Sequence, residues 1–376
     1  MTGNVAEQHP HNRTAGTGTM RAALLLGIGG PEMLEVREDV PVPHAGPGDV
    51  VVRVAACGLN NSDINTRVGW YSRSITTATE ESGYDRADVR DVGWGRRGLS
   101  FPRIQGSDVV GRVVEVGEGT GPGLMGRRVL VDPCLRDRRR PDDPALAGYL
   151  GSELDGGFAE YCTVPAENVY PVSSSLSDVD LAAFPCSWST AEHMLALADL
   201  RGGETVAVPG ASGGVGSALV QLAKLRGGRV VAVAGASKVD QVAELGADHV
   251  VARQPGRVPE AAMGANRGPF HVVADVVGGD DFGGWLEALG HGGRYVTSGA
   301  IAGPMVELDL RTLYLKDLTL HGATVYHPRV FADLVRHIEE GAVRAIVGGS
   351  YPLSDIHAAQ EAFLTKSHVG KLVITI

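Results

Sequence analysis

The chain has 376 residues, of which 43% are hydrophobic and 21% charged, and its formal net charge is −10. This is enough apolar material for two domains with buried cores, and it excludes a chain that is disordered throughout. The acidic balance excludes a nucleic-acid surface. The one run of positive charge, Arg138-Arg139-Arg140, sits among Asp137, Asp142 and Asp143 and reads as a solvated loop rather than a phosphate or partner site.

Residues 1–19 are polar, rich in Gly and Thr and without hydrophobic periodicity, which predicts a flexible leader with order starting near Met20. They lack the charged-then-apolar pattern of a secretory signal, and no apolar stretch approaches the ~18 residues that span a bilayer. A cytoplasmic protein with no membrane partner is expected. From 20 to 175, apolar runs at 21–26, 50–56, 109–116, 127–131 and 158–164 are broken by Gly and Pro, the pattern of a mostly β domain. Two segments interrupt it, 72–99 and 135–154, both polar and weakly periodic. Inserts of this length in a compact domain are functional or disordered, and the first is a candidate cover for the mouth of a site.

From 176 to 322 the rhythm changes. Strand-like runs at 205–208, 229–233, 249–252, 271–276 and 293–297 alternate with helical patterns such as 215–225 and 239–245, which predicts a parallel sheet covered by helices. The remainder, 323–376, carries helices near 329–340 and 354–364 and a strand at 371–376. It is too small to fold alone and is expected to return to the first domain. The four cysteines, Cys57, Cys134, Cys162 and Cys186, are far apart without a Cys-x-x-Cys pair, so reduced thiols are expected.

The strongest motif is the stretch 206–217, VAVPGASGGVGS, a strand feeding through a glycine turn into a helix. Ala211, Ser212, Gly213, Gly214, Val215 and Gly216 form a turn whose backbone N–H groups and helix N-terminus suit a dinucleotide pyrophosphate. Ala211 stands at the first position of the usual glycine triplet, with Gly213 and Gly216 at the second and third. At the end of the next strand an NAD site usually places a carboxylate; here residues 231–238 read VAVAGASK. Ser237 and Lys238 can bind a 2′-phosphate instead, which favours NADPH, although Lys238 also fits a solvated lysine on the following helix.

With these residues in view, the chain resembles the medium-chain dehydrogenase/reductase superfamily, most closely its zinc-free quinone oxidoreductase-like branch. The resemblance runs from about Met20 to the C-terminus. It rests on GLNNSD at 58–63, GSDVVG at 106–111, GASGGVG at 210–216, GGRYVTSG at 292–299 and GKLV at 370–373. It implies an α/β fold class, with a GroES-like β-rich catalytic domain, a Rossmann doubly wound cofactor domain and a cleft between them. It also implies a homodimer through Rossmann edge strands, with 318–325 as the matching stretch.

In zinc-dependent members a Cys takes the place of Asn60, a His that of Ser107 and a second Cys that of Cys186. Asn and Ser are weak neutral ligands where catalytic zinc needs three strong donors, so no catalytic zinc is expected. The cluster of four cysteines that marks a structural zinc is also missing between 132 and 164. Cys57 then reads as a small buried apolar residue. The zinc-free branch commonly has Asn, Asp and Tyr at the places of Asn60, Asp63 and Tyr71, and often a second Tyr where this chain has Asn65. Asp63 also fits a turn-forming residue. The resemblance places Thr190 beside the nicotinamide and His193, with Glu192, as a candidate proton relay, against which stands simple helix-surface polarity. It also brings Val277, Gly278, Gly299 and Ala300 to the nicotinamide half through backbone groups, with Asp275 serving the local fold.

Without a Lewis acid, a conjugated acceptor is easier to reduce than an isolated ketone, because the enolate formed spreads its charge. The reading is therefore an oxidoreductase that transfers hydride from NADPH to an activated C=C or a quinone, with the Asn60 amide and the Tyr71 hydroxyl holding the oxygen. The alternatives are a zinc-free ketone or imine/iminium reductase serving as a tailoring enzyme, and a non-catalytic NADPH-binding partner protein. Trp70, Tyr71, Trp94 and Phe101 bracket the first insert. They suit an aromatic or extended apolar small-molecule substrate, or form the insert's own small core.

Overall fold

The structure is a computed structural model and describes residues 18–79, 87–88, 90–95 and 98–376. Most of the expected leader and part of the first insert therefore lie outside the described residues. The first described strand, Thr19–Leu25, contains Met20.

The first domain is built on antiparallel strands. Its main sheet runs Val169–Pro171, Arg128–Val131, Asp108–Val116, Asp49–Gly58, Lys371–Thr375 and Val347–Pro352, with Tyr161–Pro165 also pairing to Asp49–Gly58. Leu34–Pro41, Thr19–Leu25 and Arg103–Ile104 form a second sheet. Alternate residues of the central strand, Val50, Val52 and Val54, enter one core with Val109, Val113 and Phe158.

The second domain has six parallel strands in the order His249–Ala252, Arg229–Ala234, Thr205–Val208, Phe270–Asp275, Leu289–Thr297 and Thr319–Gly322. Both faces are buried. Val206 and Val208 face one core, while Ala207 faces another containing Phe270 and Trp285. Double burial explains why these strands read as continuous apolar runs rather than as alternation.

The tail divides between the two. The strands Val347–Pro352 and Lys371–Thr375 join the main sheet of the first domain, as expected. The helix Arg329–Glu339 does not return with them. Its apolar stripe Phe331, Leu334, Val335 and Ile338, at helical spacing, packs into the core beside the parallel sheet. Among the described residues, no helix is long and apolar enough to cross a membrane.

Candidate active site

The glycine turn follows the strand Thr205–Val208 and opens the helix Gly214–Leu225. The N-cap, Gly213, offers no side-chain hydrogen bond, so the first N–H groups of the helix remain for an anion. Gly216 is required by packing: a Cβ there would lie 2.2 Å from the Gly210 carbonyl oxygen. Gly213 is different, because its nearest neighbour would be 3.6 Å away and the residue is exposed, which leaves open space over the turn. Ala211 is buried and its N–H donates to the Val233 carbonyl, while the Ser212 carbonyl accepts from Gly370 N–H at 2.9 Å. Ser212, Gly214 and Val215 are partly exposed around the rim. The cradle fits a dinucleotide pyrophosphate.

At the end of the neighbouring strand Arg229–Ala234, Ser237 is exposed and Lys238 partly buried, with its ammonium donating to the Lys366 carbonyl. Burial, and then the nearby Arg253, lower the Lys238 pKa. Arg253 thus joins Ser237 and Lys238 as a third cationic or polar group there, one that sequence reading did not single out. On the nicotinamide side, the N–H groups of Val277 and Gly278 both donate to Asp275, at 2.7 and 3.1 Å. Their contact with a cofactor is therefore left to carbonyls and side chains. Gly299 and Ala300 follow the strand Leu289–Thr297, and the Ala300 carbonyl accepts from Gly303 N–H.

Across the cleft, the start of the short helix Asn61–Arg67 is fixed by a reciprocal cap. One Asp63 oxygen accepts from Asn60 N–H at 2.7 Å and the other from Gly106 N–H at 3.2 Å. Burial nevertheless pushes the Asp63 carboxyl up to about 7. With both oxygens engaged, Asp63 holds the turn together.

Asn60 departs from expectation. Its amide nitrogen donates to Asp108 at 3.0 Å and Ser107 at 3.1 Å, and its amide oxygen accepts from the Lys371 ammonium at 2.6 Å. Neither amide hydrogen is left for a substrate oxygen. Lys371 also meets Asp108 at 2.7 Å, with side chains 4% and 0% exposed. The other Asp108 oxygen accepts from Cys186 N–H at 2.7 Å, at the start of the helix Pro185–Leu197, where the helix dipole favours a carboxylate.

Zinc does not fit this arrangement. Asn60 and Ser107 are weak donors already committed to neighbours, and an ammonium ion is bonded to the Asn60 oxygen where a metal would need its lone pairs. Among the described residues, no group of three His, Cys, Asp or Glu side chains could hold a metal.

The helix Pro185–Leu197 presents Cys186, Thr190 and His193 at positions i, i+4 and i+7, all partly exposed on one face. His193 lies 6.0 Å from the Tyr326 ring, and burial lowers its pKa. The expected Glu192–His193 relay is not formed. Glu192 instead accepts two hydrogen bonds from Arg226, at 2.5 and 3.0 Å. Cys57 is fully buried, and burial raises its pKa well above the ordinary thiol value, which makes it inert packing.

Tyr71 is partly exposed, and burial raises the pKa of its hydroxyl against an opposing effect of the Asn65 amide. Asn65 is 8% exposed and its amide oxygen has no partner. The first insert reaches across the cleft, where Thr79 N–H donates to the Ile301 carbonyl at 3.4 Å. It also meets the second insert: Trp94 lies 4.7 Å from the Tyr149 ring, Trp94 N–H donates to Ser152, and Gly95 N–H donates to Glu153. Of the bracketing aromatics, Trp70 and Phe101 pack against the first-domain core, so that part of the set is structural.

Sequence reading assigned no role to Lys371, Asp108 or Arg253. Lys371 and Asp108 lie in the GKLV and GSDVVG stretches already quoted, and Lys371 is also a lone cation heading an otherwise apolar strand. Arg253 has no local signature.

Residues 46–174 match the family described as alcohol dehydrogenase GroES-like domain, and residues 214–340 match zinc-binding dehydrogenase. The chain is 30% identical over 350 residues to the acryloyl-coenzyme A reductase of Metallosphaera sedula, covering 91% of this chain and 96% of that one. It is 28% identical over 370 residues to the quinone oxidoreductase of Mus musculus, covering 95% and 98%. A solved structure from Sinorhizobium meliloti is 47% identical with a TM-score of 0.85, covering 95% and 96%. A cobalt- and zinc-bound alcohol dehydrogenase from Pyrobaculum aerophilum is 34% identical with a TM-score of 0.79, covering 95% and 100%.

Proposed function

From the premise that this chain belongs to the medium-chain dehydrogenase/reductase superfamily, in its quinone oxidoreductase-like branch, and is an oxidoreductase, we propose that it reduces an activated C=C or a quinone with NADPH and without zinc. The observation that carries this reading is the buried Lys371–Asp108–Asn60 network. It takes the place of a metal site, yet its own donors are turned toward one another. What faces the cleft is a set of neutral hydrogen-bond donors. Such donors can steady a delocalised enolate or hydroquinone anion, but they give an isolated ketone little of what a Lewis acid supplies.

Bound in the glycine turn, the reduced nicotinamide supplies a hydride. The residues of the chain do the rest. Gly213 to Gly216 hold the pyrophosphate, and Ser237, Lys238 and Arg253 receive the 2′-phosphate. Thr190 on the cleft helix, with Val277, Gly278, Gly299 and Ala300, would hold the nicotinamide half. Tyr71 donates to the substrate oxygen, and the described part of the first insert, where Thr79 bonds Ile301, shields the mouth from water. Asn60 and Asp63 act by holding this wall rather than by touching the substrate.

A second reading, reduction of an isolated C=O or C=N, draws support from the similarity to an alcohol dehydrogenase. It needs a strong acid, and His193 is a poor one: its lowered pKa keeps it neutral near pH 7. The experiment is NADPH consumption on a matched enone and its saturated ketone, each with and without a strong chelator. The proposal expects chelator-insensitive turnover of the enone alone. Chelator-sensitive turnover of the ketone would overturn it.

We also propose a homodimer. The strand Thr319–Gly322 is the bare edge of the parallel sheet, and Met305, Val306, Leu310, Tyr314, Leu315 and Leu320 are exposed beside it. Sedimentation should give twice the chain mass, and Leu320→Lys should return it to the monomer.

A further inference from the structure

Two neighbouring glycines in the cofactor turn leave room for different things. Neither is demanded by its backbone, since Gly213 and Gly214 both lack a positive φ. A Cβ on Gly213 would project into the open space over the turn, with its nearest neighbour 3.6 Å away. A Cβ on Gly214 would point into the protein instead, 2.6 Å from Ser187 Oγ, 2.8 Å from Lys371 Cδ and 3.4 Å from Lys371 Cγ. Gly214 also stands outside the glycine triplet of the motif, whose second and third positions are Gly213 and Gly216. What its missing side chain admits is the stem of the lysine in the substrate wall.

That stem has no freedom to step aside. Its root is fixed in the sheet, where Lys371 N–H donates to the Ile346 carbonyl at 2.8 Å and the residue pairs with Val347. Its tip is fixed by Asp108 at 2.7 Å and Asn60 at 2.6 Å, and the side chain is 4% exposed. Ser187 Oγ can swing away by rotation about χ1, whereas a chain pinned at both ends must release one of them. The ammonium, held by two hydrogen bonds, gives way before a strand paired into the sheet.

We propose that Gly214 is a positioning residue of the substrate wall: the space beside its α-carbon seats the Lys371 stem so that the ammonium reaches Asp108 and Asn60. Its N–H remains with the cofactor. One residue thus serves the cradle with its backbone and the wall with its missing side chain. The role deepens the reductase reading, and only its effect on turnover rests on that reading.

The test compares Gly213→Ala with Gly214→Ala. In fluorescence titration Gly213→Ala should weaken NADPH about 10-fold, and Gly214→Ala should stay within about 2-fold of the parent, because its methyl points away from the groove. The chain has five lysines, so 15N spectra of lysine-labelled protein contain few ammonium signals. An ammonium buried between two acceptors exchanges slowly with water, and the Lys371 signal is identified by its loss in Lys371→Ala combined with Asp108→Asn. Gly214→Ala should shift or erase that signal, and Gly213→Ala should leave it in place. With NADPH saturating, turnover of the enone by Gly214→Ala should fall about 10- to 100-fold. Gly214→Ala should also lower the melting temperature, and most of that loss should vanish in the Lys371→Ala, Asp108→Asn background. If Gly214→Ala alone does not fold, folding in this background supports the proposal and failure there overturns it. An unmoved Lys371 signal in Gly214→Ala overturns it as well, as does a parent without that signal, a loss of NADPH affinity equal to that of Gly213→Ala, or a melting loss that persists without the lysine stem. A displaced signal in a protein whose parent reduces no acceptor sustains the lysine seat and overturns the reductase reading.

Discussion

The cofactor cradle and the substrate wall are made from different materials. The cradle is backbone: a glycine turn of consecutive residues whose geometry follows from where Cβ atoms are absent. The wall is side chain, and its members are remote in the chain. Asn60 bonds to Lys371, which follows it by 311 residues, and Cys186 reaches Asp108 across 78. A local motif announces itself and tolerates change at its margins. A non-local network is silent in sequence and fails as a unit when one charge is removed.

The largest expected effect tests that last point. Lys371→Met leaves Asp108 buried without its cation and should cost about 3–5 kcal/mol in denaturant unfolding, with much of the loss recovered by adding Asp108→Asn. Parental stability in the single variant would mean that the wall is not a coupled unit. Next comes the cradle, where Gly216→Ala forces a Cβ against the Gly210 carbonyl. It should cost about 1–3 kcal/mol together with most of the cofactor affinity, read by thermal shift with and without NADPH. Gly213→Ala meets no such obstacle in the protein, so its loss should appear in cofactor affinity alone.

At the margin of the cradle the effects are smaller. Lys238→Ala or Arg253→Ala should weaken NADPH about 10-fold and leave NADH unchanged, measured by fluorescence titration; equal weakening of both would remove the 2′-phosphate assignment. The smallest effect concerns His368, whose pKa is lowered to about 4, first by burial and then by Lys366, Lys238 and Lys371. The unfolded chain binds this proton as the pH falls below the ordinary histidine value of ~6.5, while the folded chain resists it until about 4. Stability from this group is therefore present above ~6.5 and lost as the pH falls toward 4. His368→Phe should flatten unfolding free energy against pH in that window by on the order of 1 kcal/mol, after allowance for solvent screening. An unchanged slope would place the acid sensitivity elsewhere.

The same contrast explains what could be read from the sequence. The central parallel strands were legible almost to the residue, because burial on both faces produces unbroken apolar runs: Thr205–Val208 matches its expected span and Arg229–Ala234 exceeds its own by one residue. The helix Asn61–Arg67 was not, since its residues are polar and its stability comes from a cap and buried hydrogen bonds rather than from periodicity. Asn60 was expected to bond a substrate oxygen, and its amide is instead committed to Ser107, Asp108 and Lys371, because the lysine that occupies its oxygen is fixed only by the tertiary fold. Glu192 was open between helix-surface polarity and a relay with His193, because its partner Arg226 is adjacent in space and not in sequence. Tyr149 sat in a segment whose irregular pattern gave no hint of which side chain would turn inward.

The main sheet of the first domain has a consequence for biosynthesis. Asp49–Gly58 is a central strand, but its neighbour on one side is Lys371–Thr375, with Val373 opposite Gly58 and Ile374 opposite Cys57. During translation Tyr161–Pro165 can cover this side only at Asp49–Arg53, so its end, Ala56–Gly58, stays unpaired while the cofactor domain is being made, a short edge open to mispairing. The strand that finally covers it also delivers Lys371, so closing the sheet and completing the substrate wall are one event. A chain still emerging from the ribosome lacks both the finished pocket and the Gly370 N–H that bonds the cradle at Ser212.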